Sequence, residues 1–508
     1  MPGARIPSSL LLTTLVLAGI VSGCDNRKPD TETATVTTAG SSADARANGP
    51  AGAVPISTTS DEARRLYLEG RSLTEQLRAH DGREKLEQAV AADPAFPMGH
   101  YQLAANAATA KDFFAHLKEA KALAPKASEG ERLMILALEA AGNADPTRQL
   151  EYQRQLVAKY PGDERAHFLL GGGYFGQQQY DSAITQYTRA TELNPDFSPA
   201  YNLLGYAYRA VERYDDAESA FKKYIELIPG DPNPYDSYAE LLMKTGRFDE
   251  SIAQYQKALS VDQHFSPSRV GIATNLMLQG KPDAAAAKMD ELYQRARDDA
   301  DRRTALFVKS VIFADAGRTD AAVREIEREY ALDARLADTA NMSGDAQLMG
   351  NILLNAGRTA DADKRFRQAL GLVNQSSLSD DVKQDTRLAD RYNQGRIALA
   401  QGDLAKAGAE AAAYAAGASQ RQNSIRLKQA HQLQGEIALT AKDYGTALTH
   451  LGQANQQDPQ VLYLTALAHQ GKGDAARTRE LAVKAANANI LPLASYAFVR
   501  AKARKLAA

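Results

Sequence analysis

Apolar and small residues recur along this chain with a period of thirty-four. Three stretches, starting at Glu164, Ser198 and Pro232, show it most fully. The first carries His167, Leu170, Gly171, Tyr174, Ala183, Tyr187, Ala190 and Pro195. The second carries Tyr201, Leu204, Gly205, Tyr208, Ala217, Phe221, Tyr224 and Pro229. The third carries Tyr235, Tyr238, Ala239, Leu242, Ser251, Tyr255, Ala258 and Gln263. The spacing predicts two helices per period. Gly171 and Gly205 leave room where the first helix meets the second, and Ala183 and Ala217 do the same from the second helix. Tyr174, Tyr187, Tyr208 and Phe221 fill the space between neighbouring periods. Pro195 and Pro229 end the second helix, since proline lacks the amide donor and clashes with the preceding turn.

These positions resemble the tetratricopeptide repeat, in which a large residue leads to Leu-Gly, Tyr, Ala, Phe, Ala and Pro at fixed offsets. The usual opening tryptophan is replaced by His167, Tyr201 and Tyr235, and the closing proline of the third copy by Gln263. Weaker copies run upstream through Gly70, Leu86, Ala89 and Pro94, then a shortened unit ending at Pro125 and another at Pro161. Downstream, the turn between the two helices recurs at Gly280, Gly317, Gly357 and Gly402, followed by Ala285, Ala322, Ala362 and Ala407. Gly435, Ala447, Leu451, Ala454 and Pro459 return to the pattern. The resemblance implies an all-α, right-handed superhelical solenoid of eleven or twelve helix-turn-helix repeats, stabilised mainly between neighbours. The expected divisions are N-terminal repeats over 61–163, the well-matched core over 164–299, divergent repeats over 300–427, and C-terminal repeats with a capping helix over 428–508. The segments between Asn374 and Arg387 and between Ala416 and Ser424 break the spacing, and the polar run Asn374-Gln375-Ser376-Ser377 in the first is a candidate hinge.

The N-terminus follows different rules. Arg5 precedes the apolar run Leu10–Ile20, and Val21-Ser22-Gly23-Cys24 follows it. The run is short for a permanent span. The four residues resemble the lipobox of bacterial lipoproteins, with Val21 where the family prefers leucine. A signal peptide over 1–23 and a diacylglyceryl group on Cys24 are implied, and several acyl chains at about 0.8 kcal/mol per buried methylene anchor firmly. In enterobacterial lipoproteins an aspartate in the place of Asp25 resembles an inner-membrane retention signal, the outer membrane being the alternative. The repeats are then expected in the periplasm. Residues 24–60 read as a flexible linker with a reach of roughly 30–36 Å.

Composition narrows the chemistry. Hydrophobic residues make up 44% and charged residues 24%, a folding composition. The net charge of −2, with no basic run, disfavours nucleic acid. Cys24 is the one cysteine, so no intramolecular disulfide forms. Eight histidines give no HExxH and no i,i+4 pair, so neither a metal nor a cofactor is expected. Gly171-Gly172-Gly173 lacks the following Lys-Ser/Thr of a phosphate loop. Residues 129–275 also resemble arrays fused to bacterial kinases and cyclases, but no catalytic domain accompanies them here.

A groove remains. In the tetratricopeptide family the first helix lines the concave face, which implies Arg165, Phe168, Phe175, Asn202, Tyr206, Arg209, Asp236, Glu240 and Met243 as a peptide-binding surface. Phe168 and Phe175 have packing against a neighbouring helix as their alternative role. The lysine–asparagine carboxylate clamp of the chaperone branch is absent, since Phe168, Gly172 and Leu203 occupy its positions. The expected function is a non-enzymatic, membrane-tethered scaffold or adaptor for envelope proteins or peptide segments. The alternatives are an enzyme or carrier with a site built across several repeats, and a self-assembling structural component.

Overall fold

A computed structural model describes residues 52–508 except 77, 108–109, 144, 377–379 and 422. The signal sequence, Cys24 and the linker through residue 51 lie outside the described residues. The described chain is all-α, with no strand. Its helices follow as consecutive pairs: α1 (Asp61–Glu75) and α2 (Ala79–Ala92), α3 (Pro97–Ala105) and α4 (Ala110–Leu123), α5 (Glu129–Gly142) and α6 (Pro146–Lys159), α7 (Glu164–Gly176) and α8 (Tyr180–Leu193). Next come α9 (Ser198–Ala210) and α10 (Tyr214–Leu227), α11 (Asn233–Lys244) and α12 (Phe248–Val261), α13 (Ser266–Leu278) and α14 (Pro282–Gln294), α15 (Asp299–Asp315) and α16 (Thr319–Arg335). The series closes with α17 (Thr339–Asn355) and α18 (Thr359–Gln375), α19 (Asp380–Ala400) and α20 (Leu404–Gln420), α21 (Ser424–Thr440) and α22 (Tyr444–Gln453), α23 (Pro459–Gly471) and α24 (Ala475–Ala486), and a last helix α25 (Ala494–Ala507).

Local chemistry sets the helix limits. The Asp163 carboxylate caps α7 by accepting the Ala166 amide at 2.8 Å. Ser128 and Glu131 form a reciprocal capping box on α5. α8 stops at Leu193 and α10 at Leu227, two residues before Pro195 and Pro229. The turns at Gly280, Gly317, Gly357 and Gly402 have φ between +71° and +79°, a left-handed conformation that glycine adopts at little cost. Ala183, Ala217, Ala285, Ala322, Ala362, Ala407 and Ala447 are all fully buried, as their role between paired helices requires.

The glycine of the first helix has a measurable reason. A Cβ on Gly171 would stand 2.6 Å from the Tyr187 ring, and one on Gly205 2.7 Å from Phe221. At Gly172 the nearest atom is the Tyr187 hydroxyl, at 3.9 Å. The two neighbours should therefore respond with opposite sign. Gly171→Ala is expected to destabilise by about 1 kcal/mol through overpacking. Gly172→Ala should stabilise by up to about 1 kcal/mol through helix propensity. Urea midpoints that move the same way for both would refute this account.

The divergent repeats drift from thirty-four residues because their helices are longer. α15 to α18, α20 and α21 have 17 residues each and α19 has 21, against 14 in α8 and α10. The residues from Asp380 to Arg387, expected to break the spacing, form the opening turns of α19. The described chain divides into two compact units, and the division does not fall at the candidate hinge Asn374–Ser377. The N-terminal unit runs to Leu241 and includes Ala253–Ser268; the C-terminal unit holds Leu242–Ile252 and Arg269–Ala508.

The end of the expected linker is pinned to the N-terminal unit. The Val54 amide donates to Asp163 at 2.8 Å, and the Ser57 amide to Glu131 at 3.0 Å. The Ser128 hydroxyl donates to the Pro55 carbonyl at 3.1 Å, and the Thr58 hydroxyl to Asp93 at 2.6 Å. Residues 54–58 are therefore part of the fold, which corrects the reading of 24–60 as linker throughout. Carboxylates near the starts of α5 and α7 supply the acceptors that this extended backbone needs.

In the C-terminal unit α25 packs on α23 and α24, and also on α15 and α17. Arg500 of α25 donates from Nε to Asp315 at 2.6 Å and from its two Nη atoms to the Leu278 and Met277 carbonyls, each at 3.2 Å. The last helix thus covers first helices of several repeats in its own unit.

Candidate functional site

The repeat places Asn202, Tyr206 and Arg209 of α9 at i, i+4 and i+7, and Asp236 and Glu240 of α11 at i, i+4. Each set shares one helix face. Across the two helices the side chains connect. Arg209 Nη1 donates to Glu240 at 3.0 Å, and its guanidinium lies over the Tyr206 ring, 4.7 Å from the centroid. The Tyr206 hydroxyl donates to Ser237 at 3.2 Å, and the Ser268 hydroxyl to Asp236 at 2.6 Å. Tyr255 of α12 lies against the same group, interacting electrostatically with Asp236, Glu240, Tyr206 and Arg209.

Burial sets the electrostatics. It pushes the Asp236 carboxyl up to about 8, with the neighbouring Glu240 charge acting in the same direction. Burial raises the Tyr206 and Tyr255 phenols well above their ordinary value. Burial opposes the charge on Arg209, but Glu240 outweighs it and leaves the guanidinium above its usual range. On this face Asn202 Oδ1 is buried without a hydrogen-bond partner, as is the Tyr255 hydroxyl beneath it on α12. Such atoms are costly to leave unmade, and an approaching amide or charged group would satisfy them.

The remaining sequence candidates serve other roles. Arg165 clamps Glu75 with two bonds, at 2.7 and 2.8 Å, also pairs with Glu164, and lies over Phe197. Burial opposes its charge, while Glu75 more than compensates. Phe168 stacks edge-on against Phe197 at 5.2 Å, and Phe175 against Tyr180 at 5.3 Å. Met243 is 1% exposed in a core with Met277 and Tyr496. These last three are packing residues, because the apolar side chain gains more from a neighbouring helix than from an open groove. Sequence reasoning missed Ser237, Tyr255 and Ser268. The signal for Tyr255 was a tyrosine where the repeat usually carries phenylalanine.

Histidines are also brought together. The Nδ1 atoms of His100 (α3) and His116 (α4) face each other at 3.4 Å, and those of His431 (α21) and His450 (α22) at 3.2 Å. His167 (α7) instead places Nδ1 2.8 Å from the Gln186 amide oxygen, and its Nε2 3.1 Å from the Pro161 carbonyl. No local motif signals these pairs, because the partners lie 16 and 19 residues apart across a turn. Carboxylates cluster once more where none were expected. Glu329 and Asp333 of α16 and Asp345 of α17 are fully buried, with ligand oxygens within 4.8 Å of one another. Arg303 Nε stands 2.7 Å from Asp333. The three carboxylates are a set that could hold a metal ion.

A family model described as tetratricopeptide repeat matches residues 168–232, 238–299 and 270–339. The helix pairs, the Gly–aromatic contacts and this match agree. Residues 168–339 carry tetratricopeptide repeats, within an all-α series of helix pairs. Solved structures, some described as tetratricopeptide repeat proteins, align with parts of it. One from Parabacteroides merdae ATCC 43184 is 15% identical, with a TM-score of 0.37, over 51% of this chain and 97% of that one. PilW, described as a type IV pilus biogenesis factor, is 18% identical, with a TM-score of 0.29, over 52% of this chain and 96% of its own. YrrB, described as having an unusual peptide-binding site, is 16% identical, with a TM-score of 0.27, over 36% and 94%. At these identities the alignments say nothing of function. No curated protein matches the sequence. In the tetratricopeptide frame the Asn202–Glu240 cluster falls on first helices, while the histidine pairs each bridge the two helices of one repeat.

Proposed function

We propose that this chain is a lipid-anchored adaptor of the bacterial envelope, tethered through Cys24 and binding a protein segment on the first-helix face of α9 and α11. The observation that carries the binding reading is Asn202 Oδ1, a polar atom without a partner on the same helix face as Arg209, which pairs with Glu240. An extended segment supplies a backbone amide to such an atom, and Arg209 and Tyr206 offer it charge and an aromatic surface. The anchor rests on the lipobox-like Val21–Cys24 and on Asp25, which favours the inner membrane, with the repeats periplasmic. Among the described residues no helix is long and apolar enough to cross a membrane. A second reading, an enzyme or carrier, is favoured by the burial that raises the Asp236 carboxyl to about 8 among Tyr206, Tyr255, Arg209 and Glu240. We rank it below binding, because the Asp236 carboxyl is already bonded by the Ser268 hydroxyl.

The test is photo-crosslinking in intact cells. A crosslinking side chain at Asn202 should yield defined adducts with envelope proteins, and one at the exposed Ser219 on α10 should yield none. No adduct from Asn202, or equal adducts from both positions, would refute the binding face. In the same cells Cys24→Ala should move the chain out of the membrane fraction, and unchanged fractionation would refute the anchor.

A further inference from the structure

We propose that His100 with His116, and His431 with His450, form two binding sites for a divalent transition-metal ion of the zinc class. The geometry carries this. Two nitrogens bonded to one tetrahedral ion at about 2.0–2.1 Å stand roughly 3.3 Å apart. The two pairs have Nδ1 separations of 3.4 and 3.2 Å. Their rings meet nitrogen to nitrogen, with centroids 5.7 and 5.4 Å apart. A modest rotation of each ring turns the facing lone pairs onto one ion. All four side chains are partly exposed, so an ion can enter and keep water in its remaining positions.

The first pair has a prepared tautomer. His100 hydrogen-bonds the Pro94 carbonyl, six residues back along the chain. His167 makes the same bond from Nε2 to Pro161, and the Tyr235 hydroxyl makes it to Pro229. Since Nδ1 of His100 faces His116, the carbonyl takes Nε2–H and leaves a lone pair on Nδ1. A metal-bound histidine is held in this way, with its other ring nitrogen donating to a carbonyl. Burial lowers the proton affinity of His100, His116 and His431 and so favours the neutral imidazole, in which one ring nitrogen keeps its hydrogen and the other can ligate a metal. Asp112, Glu87 and Glu119 add negative charge around the first pair, and Arg83 opposes it.

A hydrogen bond between the two rings would also join the helices. The third copy of this contact shows what an ordinary bridge looks like: His167 meets Gln186 at 2.8 Å, with the same nineteen-residue step as His431 to His450. Glutamine makes a shorter bridge there. The histidine in its place adds a second nitrogen ligand at metal-chelating distance, and does so in two separate repeats. Imidazole pairs suit zinc, copper and nickel.

The chain itself supplies the substitution for a test. His116→Gln and His450→Gln recreate the His167–Gln186 bridge while removing one ligand from each pair. Zinc alone is titrated calorimetrically into the untagged, chelator-treated full chain, with helicity and urea midpoint followed in parallel. Wild type should take two equivalents more than the double variant, the acid-flanked His100 site more tightly. Each variant should lose one equivalent, and the double variant both, with the fold retained. Equal uptake by the double variant and wild type, or no uptake by wild type, would overturn the proposal.

Discussion

Replacing Arg500 by alanine is expected to lower the stability of the C-terminal unit by about 3–5 kcal/mol, the usual result of breaking a buried ion pair from one side. Arg500 and Asp315 are each 6% exposed at the side chain. The guanidinium bonds Asp315 and also two carbonyls at the end of α13, where a helix presents unsatisfied acceptors and the negative end of its dipole. Burial works against the charge on Arg500, yet Asp315 holds it above its ordinary value. Alanine would leave a buried carboxylate and two carbonyls without their donor. Lys502 on the same helix reaches Asn355 at an exposed position, and Lys502→Ala should change little. Urea unfolding followed by circular dichroism checks the size. Faster amide exchange in α25 and α13 checks the place. A change below about 1 kcal/mol would show that α25 is held by packing alone.

Asp236→Asn should stabilise the N-terminal unit at pH 8 by several kcal/mol, since each unit of pKa displacement is worth about 1.4 kcal/mol. In the folded chain the carboxyl sits at about 8, raised from the value of 3.8 it has when solvated. The native state keeps a proton that the unfolded state releases. Stability from this group is complete below pH 4 and is lost as the pH rises towards 8. Asparagine carries no charge over that window and keeps an oxygen for the Ser268 hydroxyl. Unfolding curves at pH 4, 6 and 8 should converge at the acid end and separate at the alkaline end. Parallel curves would mean that Asp236 is ionised in the folded chain at neutral pH.

Part of the site was legible because it is periodic. Asn202, Tyr206, Arg209, Asp236 and Glu240 follow from helical spacing and the thirty-four-residue step. What they do there was not legible. Phe168, Phe175 and Met243 have the same spacing and pack into cores, because spacing fixes the face of a helix and not what covers it. Arg165 was a plausible contact for a partner until Glu75, ninety residues earlier, proved to hold it. The linker was read from composition, which does not reveal that Val54 and Ser57 find carboxylate acceptors on distant helices.

The sequence by itself determined the helix pairs, their turns, and the glycine and alanine positions where helices touch. These depend on neighbours within one or two repeats, so the pattern repeats along the chain and can be read. Only the tertiary structure decided the facing histidines, the Asp236 environment, the Glu329–Asp333–Asp345 cluster and the docking of α25. Each depends on side chains meeting across helices, from 12 residues apart in Asp333–Asp345 to 185 in Arg500–Asp315. A contact made once, at long separation, leaves no period behind, and its strength comes from burial and distance that no local pattern records.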